Sequence, residues 1–287
     1  MELAGRDCRG VEVDRVGALW RARRPSHPGL AAHLTERAGY WEAVAQPYRV
    51  RLVPMPRVVM MINLGRPFTD FHRPGVAGSA TGRIGSVVAG LADGPEECEH
   101  PGGKEAIRLE FTPLGAYRLL ARPMAELTNR VVGLAEVLGP RGEELVERLA
   151  ATRSWSARFD LLDRALLDRL AGATCPAWQV ERAWGLLAGS GGRSPVSRVA
   201  AEVGWSPGHL TRVFTRQVGL APKKAARVLR LDRTVRVLSA GAPSLAAAAV
   251  QCGFTDQSHL THELGALAGL TPGALLVTGR SGPDLDL

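Results

Sequence analysis

Arginines, histidines and cysteines are the side chains here with most chemistry to offer, and only the arginines are grouped to use it. The four cysteines (Cys8, Cys98, Cys175, Cys252) lie far apart, which excludes a disulfide framework and a zinc finger. The histidines (His27, His33, His72, His100, His209, His259, His262) are scattered. They lack the His-x-His spacing with a trailing Glu of a barrel-type metal site. His259 adjoins the apolar Leu260 and reads as a packing or capping residue. Neither a Ser/His/Asp nor a Cys/His arrangement is suggested locally, and Gly85 and its neighbours form no phosphate-binding fingerprint. No catalytic residue, metal site or cofactor is therefore expected, and the chain does not read as an enzyme. The net charge is +8, and residues 193–240 carry ten Lys and Arg against two acids. Residues 241–287 carry one base against four acids. A cationic excess focused in one stretch is the electrostatic footprint of phosphate binding.

The elements that must position this charge form a repeat. Gly204-Trp-Ser-Pro-Gly-His-Leu210 with Phe214, Gly219 and Pro222 returns as Gly253-Phe-Thr-Asp-Gln-Ser-His-Leu260 with Leu264, Gly269 and Pro272. The offset is 50 after the turn and 49 at the turn glycines, because the second turn is one residue longer. Two copies of one supersecondary unit are a stronger signal than either alone. Each copy has the parts of a helix-turn-helix. Val196–Val203 makes a short first helix, and Gly204 can take the positive φ that stops it. Ser206 caps the next helix with Pro207 in its first position. Leu210, Val213, Phe214 and Val218 share its buried face, leaving Gly208, Arg212, Thr215 and Arg216 outward, as a major-groove reader requires. Leu245–Cys252 and Asp256–Ala268 repeat the pattern, the second buried through Leu260, Leu264 and Leu267. Lys223–Leu238 reads as a connecting helix of ~24 Å, able to set the readers roughly one turn of DNA apart.

On Ala201-Glu-Val-Gly-Trp-Ser-Pro-Gly-His-Leu210, the Arg230–Leu238 connector and the Gly253–Pro272 copy, the last ~90 residues resemble the double helix-turn-helix domain of AraC/XylS-family bacterial transcription regulators. The resemblance implies an all-helical domain entering successive major-groove segments of operator DNA. By position, the base-contacting slots correspond to Gly208, Thr211 and Arg212 in the first reader, with Arg216 better placed for phosphate. In the second they correspond to Gln257, Ser258, Thr261 and His262. His262 stands where the family usually has Arg, and Gly265 where it often has a base. The second unit therefore contributes little counterion release: residues 193–240 offer Arg198, Arg212, Arg216, Lys223, Lys224 and Arg227 as candidate phosphate contacts, against Arg280 alone in residues 241–287. A small-molecule effector, a second copy of the chain and RNA polymerase are the further partners such a regulator implies.

Upstream, the fold class reads as α+β. From Val11 to Glu110 short apolar runs alternate with Gly and Pro. Tyr48–Met55, Arg57–Leu64, Gly82–Leu91 and Ala106–Phe111 read as strands of a small barrel or sandwich. Trailing helices are expected from about Leu127, clearest at Glu143–Ala151, Ala157–Ala171 and Trp178–Leu187. Six tryptophans (Trp20, Trp41, Trp155, Trp178, Trp184, Trp205) read as core rather than as a pocket lining. Gly189-Ser-Gly-Gly192 is the clearest linker. The expected division is an effector-sensing or oligomerising domain over 1–188 and a DNA-binding domain over 189–287, with units at 196–219 and 244–269. The polar, mixed-charge start and the absence of a ~18-residue apolar run suggest a soluble, cytoplasmic, bacterial protein without a membrane partner. Two other readings stay open: a nonspecific nucleoid-type DNA-binding protein, and an enzyme fused to such a DNA-binding domain.

Overall fold

A computed structural model describes residues 2–275 apart from 4–5, 17–18 and 43–45. Arg280 thus lies outside the described residues. The upstream half opens with a two-stranded hairpin, β1 (Glu2–Leu3) and β2 (Arg6–Asp7). It continues with β3 (Glu12–Val16), β4 (Leu19–Arg23), β5 (Leu34–Glu42), β6 (Tyr48–Leu52), β7 (Val58–Asn63) and β8 (Asp70–His72). The strands β9 (Val87–Ala89), β10 (Glu96–His100), β11 (Glu105–Phe111) and β12 (Val131–Gly133) complete it. A seven-stranded antiparallel sheet runs β12-β9-β7-β11-β5-β4-β3, and a three-stranded one runs β6-β10-β8.

The side-chain alternation of β7 explains how the layers stack. Val58, Met60 and Ile62 face the helices, whereas Met61 joins Val50, Phe71 and Cys98 between the two sheets. A strand buried on both faces reads as a continuous apolar run, which is why 57–64 was legible as a strand. β3, β4 and β5 are strands that the sequence reading did not name. Arg37 on β5 is buried and spends its guanidinium on Asp163 at 2.5 Å and on the carbonyls of Phe159, Arg24 and Pro25. The sandwich expectation holds, with more strands than the sequence suggested.

Helix begins earlier than expected. Thr112 Oγ1 accepts from Gly115 N and Pro113 takes the first position of α1 (Pro113–Leu120), the same capping chemistry read correctly at Ser206. The chain at Leu127 instead closes a single 3-10 turn, Met124–Leu127, and enters β12. Then follow α2 (Leu134–Leu138), α3 (Pro140–Ala151), α4 (Trp155–Ala171) and α5 (Trp178–Gly189). Trp155 lies over Gly39, where a Cβ would come within 2.1 Å of its ring, and stacks on Trp41 with centroids 5.4 Å apart. Trp41 and Trp155 are core, while Trp178 is 62% exposed.

Further helices follow: α6 (Val196–Glu202), α7 (Pro207–Val218), α8 (Pro222–Ser239), α9 (Leu245–Cys252) and α10 (Gln257–Ala268). Helix α5 packs on α6, α7 and α8, although it lies upstream of position 189. The Gly-Ser-Gly-Gly stretch is a tight turn, with Gly191 and Gly192 at φ +60° and +77°. A Cβ on Gly192 would sit 2.0 Å from the Ala226 carbonyl oxygen, so close packing demands glycine there as well as the positive φ. The halves also share a core: Leu119, Met124 and Leu127 cluster with Phe214, Val218 and Leu220.

Candidate nucleic-acid interface

Both reading helices begin with the same construction. Ser206 Oγ accepts from His209 N at 3.3 Å, and Asp256 Oδ1 accepts from His259 N at 2.8 Å. The backbone N–H of His259 is the largest influence holding the Asp256 carboxyl below the usual carboxylate range. The His209 ring stands edge-on to Trp205 at 4.5 Å, and that of His259 edge-on to Phe254 at 5.3 Å. His259 is thus a packing residue. Gly204 and Gly253 take φ of +69° and +80° at the turns. The extra residue of the second turn, Thr255, bonds the His259 ring at 3.1 Å.

Leu210, Phe214 and Val218 bury one face of α7, and Leu260, Leu264 and Leu267 bury one face of α10. The remaining face exposes every slot named from the sequence: Gly208, Thr211, Arg212 and Arg216, then Gln257, Ser258, Thr261 and His262. Thr211 and Thr261 each donate their hydroxyl proton to the carbonyl four residues back, at 2.8 and 2.9 Å. Each can therefore offer only an acceptor lone pair and a methyl group to a base edge. Arg212 Nη2 rests 3.2 Å from His209 Nδ1, folded toward the helix N-terminus. Around Gly208 there is open space where a side chain would stand. It can lend only its backbone.

The joining helix, α8, has 18 residues, hence about 27 Å of length. In the free chain most of its cations are already paired. Lys224 Nζ lies 2.7 Å from Asp93 Oδ2, and Arg227 forks onto Glu263 at 2.9 and 3.0 Å. Burial works against both carboxylates, yet these bonds leave Asp93 and Glu263 below their ordinary range. Arg193 and Arg230 bond the carbonyls of Ser190 and Gly192, and Arg236 pairs with Asp232. Arg198, Arg212, Arg216 and Lys223 stay exposed and have no acidic partner among the described residues.

No local motif signals that the β-domain grips both readers at the same place. Thr128 Oγ1 donates to the carbonyl of Gly219, just past α7, at 2.6 Å. Arg51 Nη1 donates to the carbonyl of Gly269, just past α10, at 2.9 Å. Arg57 reaches Asp232 of α8 at 2.9 Å. Each contact spans more than 90 positions, and no local pattern encodes such a pairing.

Two capped helix-turn-helix units on one connecting helix define a double-reader domain set against a β-sandwich. Residues 179–276 match a family described as a helix-turn-helix domain, and residues 23–133 match a domain of unknown function (DUF6597). The C-terminal part of the chain is a helix-turn-helix domain of the AraC type. Over 57 residues the chain is 41% identical to YbfI of Bacillus subtilis (strain 168), an uncharacterized HTH-type transcriptional regulator. That match covers 20% of each, so the chain spans about a fifth of the length of this curated relative. Among solved structures, fatty-acid-bound ToxT of Vibrio cholerae aligns with a TM-score of 0.49 at 11% identity, covering 90% of this chain and 99% of that one. The C-terminal domain of AraT, a response regulator from Geobacillus stearothermophilus, aligns at 0.34 and 17% identity, over 36% and 87%.

Proposed function

We propose that the chain is a sequence-specific DNA-binding transcription regulator whose α7 and α10 enter neighbouring major-groove segments. One observation carries the reading. Two capped helices expose equivalent positions at an offset of 50, Thr211 with Thr261 and Arg212 with His262. Arg212 and Thr211 read base edges in the first unit, and Gln257, Ser258, Thr261 and His262 in the second, while Arg216 binds phosphate. Gly208 permits close approach of the backbone. The regulator divides within 172–177, so that α5 belongs to the DNA-binding unit, and the β-domain controls it through a small-molecule effector. Pairing with a second copy and contact with RNA polymerase belong to the same reading. Selection of bound duplexes from a random pool tests it. The expected product is a two-part site whose elements lie about 10 base pairs apart. A pool with no enriched sequence would instead identify a nonspecific nucleoid-type binder.

A further inference from the structure

A cleft opens between the two sheets where the chain crosses from β6 to β7, with about 660 Å³ of empty space, part of it open to solvent. Its wall is apolar: Leu52, Val53, Met55, Met61, Phe71 and Cys98 are typical. Two charged side chains interrupt it, Arg57 and Glu96. Arg57 is already committed, 3.0 Å from Glu110 and 2.9 Å from Asp232. Glu96 stands on the inward face of β10 beside Cys98, is 7% exposed, and has no hydrogen bond or ion pair to any described residue. Burial pushes its pKa up to about 7 against the pull of Arg73. Neither Glu96 oxygen is fully enclosed, so a donor from outside the chain can reach this carboxyl and offset the cost of burying it.

We propose that this cleft binds a compact apolar molecule carrying a basic nitrogen, whose protonated amine donates to the Glu96 carboxylate. An ammonium brings both the missing donor and the compensating charge. A carboxylate ligand would set a second anion beside Glu96, while Arg57 already spends its guanidinium on Glu110 and Asp232, which Arg108 and Arg236 share. The cleft is also joined to both readers. Arg51, which holds the end of α10, and Val53, which packs in the core of the second unit, flank Leu52 on the wall. Across the cleft, Gly90 abuts the Leu127 carbonyl next to Thr128, which holds the end of α7. Asp93, between the lining residues Ala92 and Gly94, holds Lys224. An occupant that moves these walls moves the anchors of α7 and α10 together. For this consequence, though not for binding itself, the proposal rests on the regulator reading.

The test uses the full chain and three probes of one shape: 4-phenylbutylamine, 4-phenylbutan-1-ol and 4-phenylbutanoic acid, titrated calorimetrically near neutral pH. The amine should bind about tenfold more tightly than either analogue. Glu96→Gln, isosteric and neutral, should bring the amine down to the level of the alcohol while leaving the alcohol unchanged. An acid that binds as well as the amine overturns the assignment. So does an amine preference surviving in Glu96→Gln, or the failure of all three to bind at millimolar concentration. The wild-type comparison decides the matter even if the variant folds poorly. Anisotropy of a selected duplex with and without the amine separates the two readings. Amine binding without any change in DNA affinity refutes control through this cleft and leaves the ligand class standing. Absence of selective DNA binding in the free chain refutes the regulator.

Discussion

Truncating Arg216 and His262 to alanine, one at a time, should have unequal effects on the salt dependence of DNA binding. The structure supplies the magnitude. Of the cations in 193–240, Arg193, Arg198, Arg212, Arg216 and Lys223 are exposed with no acidic partner, and the described part of 241–287 contains no Lys or Arg. At ~0.9 in log K per log salt for each phosphate neutralised, these five account for a slope of at most about 4.5. Arg216→Ala should remove about 0.9 of it, which over a fourfold change in salt is about 3.5-fold in relative affinity. His262→Ala should leave the slope at neutral pH unchanged while weakening discrimination at one base pair. Lys224→Ala and Arg227→Ala should also leave it unchanged, because Asp93 and Glu263 already neutralise them. Fluorescence anisotropy of a labelled duplex across a KCl series reads all four. A greater loss of slope from His262→Ala than from Arg216→Ala would refute the assignment. Losses of ~0.9 from Lys224→Ala and Arg227→Ala would mean that DNA strips these cations from their carboxylates.

Three further outcomes follow from the geometry. Arg212→Ala should cost ~1–3 kcal/mol on the selected site and relax preference at one base pair. Equal weakening on random DNA, by anisotropy competition, would make Arg212 a phosphate clamp instead. The raised pKa of Glu96, about 7 against 4.5 in an unperturbed chain, means that the folded state holds a proton the unfolded state gives up. This contribution to stability is full in acid and is lost as pH rises from about 4.5 through 7, by roughly 3 kcal/mol at most. Thermal melts between about pH 5 and 8 should show wild type losing stability relative to Glu96→Gln, and parallel curves would contradict the burial of that carboxyl. Gly39→Ala would drive a methyl to 2.1 Å from the Trp155 ring and should cost at least ~1–3 kcal/mol. Urea denaturation giving less than ~0.5 kcal/mol would mean that α4 is free to slide.

What the sequence determined by itself is the part of the protein built from local rules. Caps, turn glycines and 3.6-residue periodicity act over a few positions, so Ser206, Asp256, Gly204 and Gly253 marked α7 and α10, and the bounds of α8 and α9, to within a residue or two. The exposed slots followed, because burying Leu210 and Phe214 leaves Thr211, Arg212 and Arg216 outside. Strands with two buried faces, such as β7 and β11, were legible for a similar reason. Tertiary structure decided what depends on partners far along the chain. Arg37 sits in β5 because Asp163, 126 positions away, meets it. Whether a lysine faces DNA or an aspartate depended on Asp93, and the apparent linker at 189–192 became a packed turn because Ala226 lies against Gly192. The cleft around Glu96 and the paired anchors at Gly219 and Gly269 belong to the same class. A charge or a glycine in sequence carries no record of its distant neighbour, and the energy of burying it is set only when that neighbour arrives.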